Sequence, residues 1–459
     1  MDESQTKGSI GAIVQSGTKR VTHTKTRYYI LAMLFLVTAL NYGDRATLSM
    51  AASPMSAELG LDAVTMGYIF SAFAWAYVIG QIPGGWLLDK FGARRIYFWS
   101  IFLWSLFTIM IGFISSLGSI SLVISSLFLL RFLVGLSESP AFPGNSQIVA
   151  AWFPTKERGT AAAIFNSSSY FSTVIFAPLM GWLVTQWHWQ SIFWVMGGLG
   201  VVISIVWLKV IYSPKSHPTV NPEEIKYIES EGAVTDMGES SLGSKSKKHK
   251  TSWKDVKQIL SSRMMFGVFA GQYCVNTMTY FFLTWFPVYL VKERHLSILQ
   301  AGFAAVAPAL CGFIGGILGG VLSDKLIRMN YSLTLARKLP IVLGFILSTS
   351  IVVCNYVSSH AAIIFFMSLA FFGKGFGSLG WAVMSDIAPK EAIGISGGMM
   401  NAFGNTAGIV TPIVIGYILA STGSFNLALT YVGIHAVGAI LCYTVIVGKI
   451  QRFTLTKST

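Results

Sequence analysis

The chain has 459 residues, of which 53% are hydrophobic, 14% aromatic and only 11% charged. Soluble domains carry about 25% charged residues, so this chain lacks the polar material for a water-soluble surface, and the same figures exclude intrinsic disorder. The formal charge of +14 would suit nucleic acid, but its distribution along the chain points to a lipid bilayer and to no nucleic-acid partner.

A crossing helix needs about 20 mostly apolar residues, so stretches free of Asp, Glu, Lys and Arg mark the spans. Residues 28–42 open the first segment, which continues through Asp44 and Arg45. Residues 63–88 hold one crossing, and residues 96–130 hold two, broken near Gly118. Residues 159–208 hold two more, broken at Gln186-Trp187-His188-Trp189. Residues 264–291 and 295–323 give one each. Residues 339–373 break at Ser358-Ser359-His360 and residues 392–448 at Thr422-Gly423-Ser424, giving two each. The total is twelve. The expected fold class is an all-α polytopic membrane protein of two six-helix bundles. The expected divisions are a tail at 1–27, bundles at 28–211 and 264–449, a linker at 212–263 and a tail at 450–459. Ser240 to Lys250 is rich in Ser, Gly and Lys, so the linker reads as a solvated tether. No cleavable leader is expected, because the first apolar run follows a basic tail and lacks a short core with a small-residue cleavage site.

Basic side chains cluster on one side: Lys7, Lys19, Arg20, Lys25 and Arg27 in the first tail, then Lys90/Arg94/Arg95, Lys156/Arg158, Lys325/Arg328/Arg337/Lys338 and Lys390. The loops on the other side carry only Lys292 and Arg294. This positive-inside pattern places both termini in the cytoplasm. Cys274, Cys311, Cys354 and Cys442 show no metal spacing or disulfide framework. The seven histidines are scattered, with no nucleophile–base set. Neither enzyme activity nor a metal or other cofactor is expected.

Motifs recur at a constant offset of 235 residues. Gly85-Trp-Leu-Leu-Asp89-Lys90 returns as Gly320-Val-Leu-Ser-Asp324-Lys325. Gly159 pairs with Gly394, Asn166 with Asn401, Gly181 with Gly416 and Asn41 with Asn276. Several matches at one offset indicate a duplicated six-helix unit.

Gly85-x-x-x-Asp89-Lys90-x-Gly92-x-Arg94-Arg95 and Arg131-x-x-x-Gly135 resemble two signatures of the major facilitator superfamily. Asn41-Tyr-Gly-Asp-Arg-Ala-Thr-Leu48, Phe70 to Tyr77, Gln81-Ile-Pro-Gly-Gly-Trp86 and Phe282-Leu-Thr-Trp-Phe-Pro287 are similar to its anion:cation symporter branch. Gly373-Lys-Gly375 and Ala141-Phe-Pro-Gly-Asn-Ser146 favour the bacterial hexarate (glucarate/galactarate) carriers within it. The resemblance implies a monomer in the bacterial plasma membrane that imports a sugar-acid anion with protons by alternating access. The alternative within the branch is a carrier of monoacids such as galactonate or hexuronates.

Charges inside a bilayer are expensive and mark functional sites. Five fall within spans: Asp44, Arg45, Arg131, Glu138 and Lys374. Arg45 offers a planar fork that suits a carboxylate and does not lose its proton. Lys374 lies in the other half, one position past the counterpart of Glu138. Two cations, one from each bundle, suit a diacid. Asp44 and Glu138, with Arg131, are the proton-coupling candidates, and a substrate that draws Arg45 from Glu138 should ease proton uptake there. Arg131, Gly135 and Glu138 share one helix face, and Asp44 with Arg131 forms a second candidate pair. Tyr42, Tyr77, Asn41, Asn276 and Trp381 are candidates for the sugar hydroxyls, with Asn166, Ser169, Thr279 and Asn405 beside them. Asn401 is added from its match to a galactonate-carrier-like position. For gating, Asp89 would cap the start of segment eleven across the halves, steadied by Arg95, and Asp324 would do the same near Gly159.

Overall fold

The computed structural model describes residues 24–154, 156–233, 235, 253–389 and 392–455. Lys7, Lys19, Arg20, Lys390 and the stretch from Ser240 to Lys250 lie outside them. Among the described residues the chain is helical, with no strand.

Twelve segments follow in order. α1 is Thr26–Leu59, α2 Ala63–Phe91, α3 Ala93–Ile111, α4 Ile120–Trp152, α5 Arg158–Gln186 and α6 Gln190–Val210. α7 is the pair Arg263–Thr284 and Phe286–Lys292, α8 Ile298–Arg328, α9 Leu333–Asn355, α10 His360–Ile387, α11 Ile393–Thr422 and α12 Asn426–Ile446. Among the described residues, nine helices are long and apolar enough to cross a membrane, and the bent α7 makes ten. The remaining two, α1 and α3, are diluted by charge: α1 holds Arg27, Asp44, Arg45 and Glu58, and α3 opens with Arg94 and Arg95.

Three spans are broken where the site lies. α4 breaks at Ser139-Pro140, directly after Glu138. α7 bends by 49° at Trp285, where Pro287 removes a helical donor. α10 breaks at Gly377-Ser378, with Lys374 in the last turn before the break. A cation there complements the carbonyl end of the helix.

The halves meet through glycines that obey the repeat. At the end away from the linker, a Cβ on Gly67 of α2 would lie 2.6 Å from the Pro412 carbonyl oxygen of α11. At the related interface, a Cβ on Gly302 of α8 would lie 2.5 Å from the Ala177 carbonyl oxygen of α5. Gly416 sits against Ala63 in the same way, and Gly181 against Ile298. Each partner in the first interface is 235 residues from its counterpart in the second. Any side chain would force these backbones apart, so this end is shut. The Tyr68 and Tyr417 hydroxyls, 3.2 Å apart, add a bond across it. At the linker end the halves diverge around a cavity of about 910 Å³, lined by residues of α2, α4, α10 and α11.

The linker departs from the expected tether in its first part. Its helix Pro222–Ser230 docks on the first bundle through Glu224, which is fully buried. Its carboxylate accepts from Thr24 Oγ1 (2.5 Å) and from the backbone N–H groups of Thr26 (3.1 Å) and Arg27 (3.3 Å). α1 has no side-chain cap of its own and no acid in its first turn, so Glu224 supplies both from nearly 200 residues away. Arg27 pairs with Glu157 (3.3 Å) and Glu224 (3.7 Å). A hydrogen bond from Thr235 and the ion pair with Lys215 hold the Glu229 carboxyl below the ordinary glutamate range.

Candidate functional site

The site is built on the middle of α1. Tyr42 and Arg45 are three residues apart and share a helix face. The Arg45 guanidinium lies between the rings of Tyr42, Phe73 and Tyr77, at 4.9, 4.8 and 4.8 Å. Its Nε donates to Glu138 Oε2 at 2.9 Å. The Arg45 side chain is 10% exposed and that of Glu138 0%. Helix α4 approaches because Gly135 packs against the Phe73 carbonyl of α2, and Glu138 follows one turn later on the same face.

Asp44 and Arg131 are buried behind this pair. They are electrostatic neighbours of each other and of Glu138. Neither makes a contact ion pair among the described residues, and both Asp44 carboxylate oxygens lack an ordinary hydrogen bond. Asp44 sits beside the indole of Trp104, which is fully buried. The expected Asp44–Arg131 contact pair is therefore not formed. A four-charge cluster centred on Glu138 takes its place.

Two cavities open between the halves. One, of about 160 Å³, is lined by Arg45, Tyr77, Tyr280, Asn401 and Asn405. The other, of about 240 Å³, is lined by Lys374, Tyr170, Phe371 and Ser378. They share Tyr42, Gln272, Asn276, Thr279, Leu283 and Trp381. Trp381 and Asn401 also line the larger cavity at the linker end, so the path from the centre leads that way. Lys374 Nζ lies 5.9 Å from the Tyr170 ring and 5.5 Å from the Phe371 ring. Nothing among the described residues pairs with it.

Of the neutral candidates, Tyr42, Tyr77, Asn276, Trp381, Asn401, Thr279 and Asn405 line at least one of these two cavities, and Ser169 lines the Lys374 side. Asn41 lines neither, and Asn166 is exposed away from both. Gln272 and Tyr280 were missed by sequence reasoning. Gln272 Nε2 donates to Asn276 Oδ1 (3.1 Å) and the Tyr280 hydroxyl to Asn405 Oδ1 (2.8 Å). The signal was present, since Gln272, Asn276, Thr279 and Tyr280 follow a helical i, i+4, i+7, i+8 spacing.

The gate residues do not reach across the halves. Asp89 is exposed and accepts from Gln147 Nε2 of its own half at 2.7 Å, and Arg95 is exposed. Arg337 holds Asp324 at 3.7 Å and Asp386 at 2.8 Å, again within one half. The physical reason is the conformation: the linker end is open, so the contacts expected to shut it are unmade.

A duplicated unit of broken helices around a central charged cavity is a carrier architecture, and the sequence match decides which. The Major Facilitator Superfamily model matches residues 34–412. The chain belongs to that superfamily. It is 59% identical over 446 residues to the "Probable galactarate/D-glucarate transporter GudP" of Escherichia coli (strain K12), covering 97% of this chain and 99% of that one. It is 56% identical over 455 residues to the protein of the same name from Bacillus subtilis (strain 168), covering 98% and 97%. Among solved structures, a D-xylose-proton symporter superimposes with a TM-score of 0.68 at 14% identity, covering 93% of this chain and 99% of that one. That likeness establishes the fold.

Proposed function

We propose that this chain imports sugar diacids of the galactarate/glucarate class by proton symport through alternating access. The observation that carries the diacid reading is the placement of Arg45 and Lys374. They stand on two cavities that share one wall, and they come from opposite halves. A linear diacid set between them gives each cation one carboxylate, with Gln272, Asn276 and Thr279 left for the hydroxyls. The names of the relatives support the same substrate class.

The proposed cycle follows from the Arg45–Glu138 pair. A substrate carboxylate takes the Arg45 fork, and Glu138 is left buried without its partner. A proton relieves that state, because an unpaired buried charge is strongly unfavourable. Substrate and proton uptake are thereby linked. Asp44 and Arg131 complete the charge balance behind it. The basic side chains at the linker end support a cytoplasmic location for that end and for both termini. The structure is then an inward-facing state, with Asp89, Arg95 and Asp324 closing the cytoplasmic end in the other. The same reading treats residues 28–211 and 264–449 as the moving bodies of a monomer, with 212–263 between them.

The test is uptake of labelled glucarate into proteoliposomes under an inward proton gradient, with galactarate, glucuronate and galactonate as competitors. Gradient-driven uptake displaced by the diacids supports the reading. Uptake displaced best by a monoacid overturns the diacid assignment, and uptake indifferent to the gradient overturns symport.

A further inference from the structure

The first bundle contains a second, much smaller cavity behind Arg45, of about 10 Å³. Its lining includes Thr38 and Asn41 of α1, Tyr97 of α3 and Asn145 of α4, with the polar Tyr42, Arg45 and Tyr77 on the side toward the Arg45 cavity. Tyr42, Arg45, Tyr77 and Phe142 separate it from the Arg45 cavity, since these four line both. All three of Asn41, Tyr97 and Asn145 are almost fully buried, at 4%, 0% and 1% exposure. Each presents one atom without an ordinary hydrogen bond, Asn41 Nδ2, the Tyr97 hydroxyl and Asn145 Oδ1, although the Tyr97 hydroxyl lies beside Asn145 and Thr38 and the Asn41 amide beside Glu138. Asn145 is fixed in register, because its Nδ2 donates to Thr38 Oγ1 at 3.0 Å. Its oxygen is therefore the end left facing inward.

Three polar side chains with incompletely satisfied atoms line a space with room for about one water. Leaving each unpaired costs about 1–3 kcal/mol, and buried waters typically make about three hydrogen bonds to such groups. Apolar cavities stay dry, whereas this one offers a donor, an acceptor and a hydroxyl able to act as either. The space is too small for an organic ligand, and no carboxylate lines it.

We infer that this cavity is a water-binding site, and that the water, through Asn41, positions Glu138 for protonation. Asn41 links the two places. Its amide lies against the Glu138 carboxylate, whose Oε1 has no partner while Oε2 is held by Arg45. The water accepts from Asn41 and donates to Asn145 Oδ1, which fixes the amide relative to that free oxygen. Asn41 is then a positioning residue for coupling rather than a contact for a sugar hydroxyl. The charged and titratable groups near Glu138 are Arg45, Asp44 and Tyr42 on α1, Arg131 on α4, Tyr97 on α3 and Tyr280 on α7. The coupling role rests on the proton-symport reading above, but the water site does not.

Two variants of the full-length carrier in proteoliposomes test it. Asn145→Leu removes the acceptor and fills the space, and Tyr97→Phe removes only the hydroxyl. X-ray hydroxyl-radical footprinting reads the site directly, since a held water oxidises the side chain beside it. Tyr97 should be labelled in the wild type and protected in Asn145→Leu. An unlabelled wild-type Tyr97 overturns the site. For coupling, Tyr97→Phe should keep labelled glucarate exchange at equal concentrations while losing pH-driven uptake severalfold, with a shifted pH profile. Unchanged pH-driven uptake in both variants, with a wild type that is proton-driven, overturns the positioning role. A wild type that is not proton-driven overturns both that role and the symport reading, and the footprint still decides the water.

Discussion

Replacing Lys374 with Gln separates a two-cation site from a one-cation site. The ammonium has no ion-pair or hydrogen-bond partner among the described residues, and it faces a cavity flanked by Tyr170 and Phe371. Its removal therefore strands no internal carboxylate, and the unliganded carrier should fold and insert normally. In the proposed complex it meets one end of a diacid. A hydrogen bond to a charged group contributes about 1.5–3 kcal/mol. At 1.4 kcal/mol per tenfold, glucarate and galactarate should bind about 10- to 150-fold more weakly. A monoacid that gives its one carboxylate to Arg45 meets Lys374 with a hydroxyl, which the glutamine amide can still bond, so its net loss should be about 0.5 kcal/mol, roughly two- to threefold. The assay is competition against labelled substrate in proteoliposomes, with protein amount matched by gel. Equal losses for diacids and monoacids refute the two-cation geometry and leave Lys374 a packing residue in the α10 break.

Glu138→Gln keeps shape and hydrogen bonding but cannot carry a proton. It should retain exchange of labelled glucarate between equal pools and lose accumulation against a gradient, and pH-driven accumulation in this variant would remove Glu138 from coupling. Gly67→Val places a side chain against the Pro412 carbonyl oxygen, where even a Cβ would stand 2.6 Å away. Overpacking of this kind costs about 1–3 kcal/mol, comparable to the few kcal/mol that separate conformations. Labelling of a cysteine placed at Ser71 should rise as that end opens, and unchanged labelling would contradict the closure. Glu224→Ala removes the borrowed cap of α1, worth about 1 kcal/mol. Hydrogen exchange at residues 24–30 and 222–230 should speed up together, whereas speeding in only one segment would mean that they do not hold each other.

The spans were legible because the bilayer imposes a rule the sequence must obey: about 20 residues without charge. α1 was harder to read for the same reason that it matters, since Asp44 and Arg45 interrupt its apolar run. The Arg45–Glu138 contact was also within reach, because both residues sit where charge needs a partner. The docking of Pro222–Ser230 was not. Its stability depends on Glu224 meeting backbone donors of Thr26 and Arg27, and nothing local in a short polar helix names so distant a partner. The gate shows a different limit. On the proposed cycle, Asp89, Arg95 and Asp324 make their contacts in another conformation, and a sequence encodes all its states while one structure holds one. Asn41 marks a third: its spacing puts it on the Arg45 face, but only packing reveals that it turns into the bundle.

The repeat is symmetric in its joints and asymmetric in its charges. Gly67 and Gly302 shut the two interfaces in the same way, as do Gly416 and Gly181. Yet among the described residues the first half gathers Asp44, Arg45, Arg131 and Glu138 at the centre, while the second contributes Lys374. Symmetric joints let the two interfaces at the closed end part by equivalent motions. In the proposed complex, asymmetric charges give each half a different share of the ligand. In the proposed complex neither cation alone distinguishes the open from the closed carrier, because each would bind a carboxylate from its own side. Only a ligand that reaches both favours the state in which they approach, and a ligand shifts an equilibrium solely by its difference in affinity between states. A diacid supplies that difference, and a monoacid supplies it only through the weaker hydroxyl contacts.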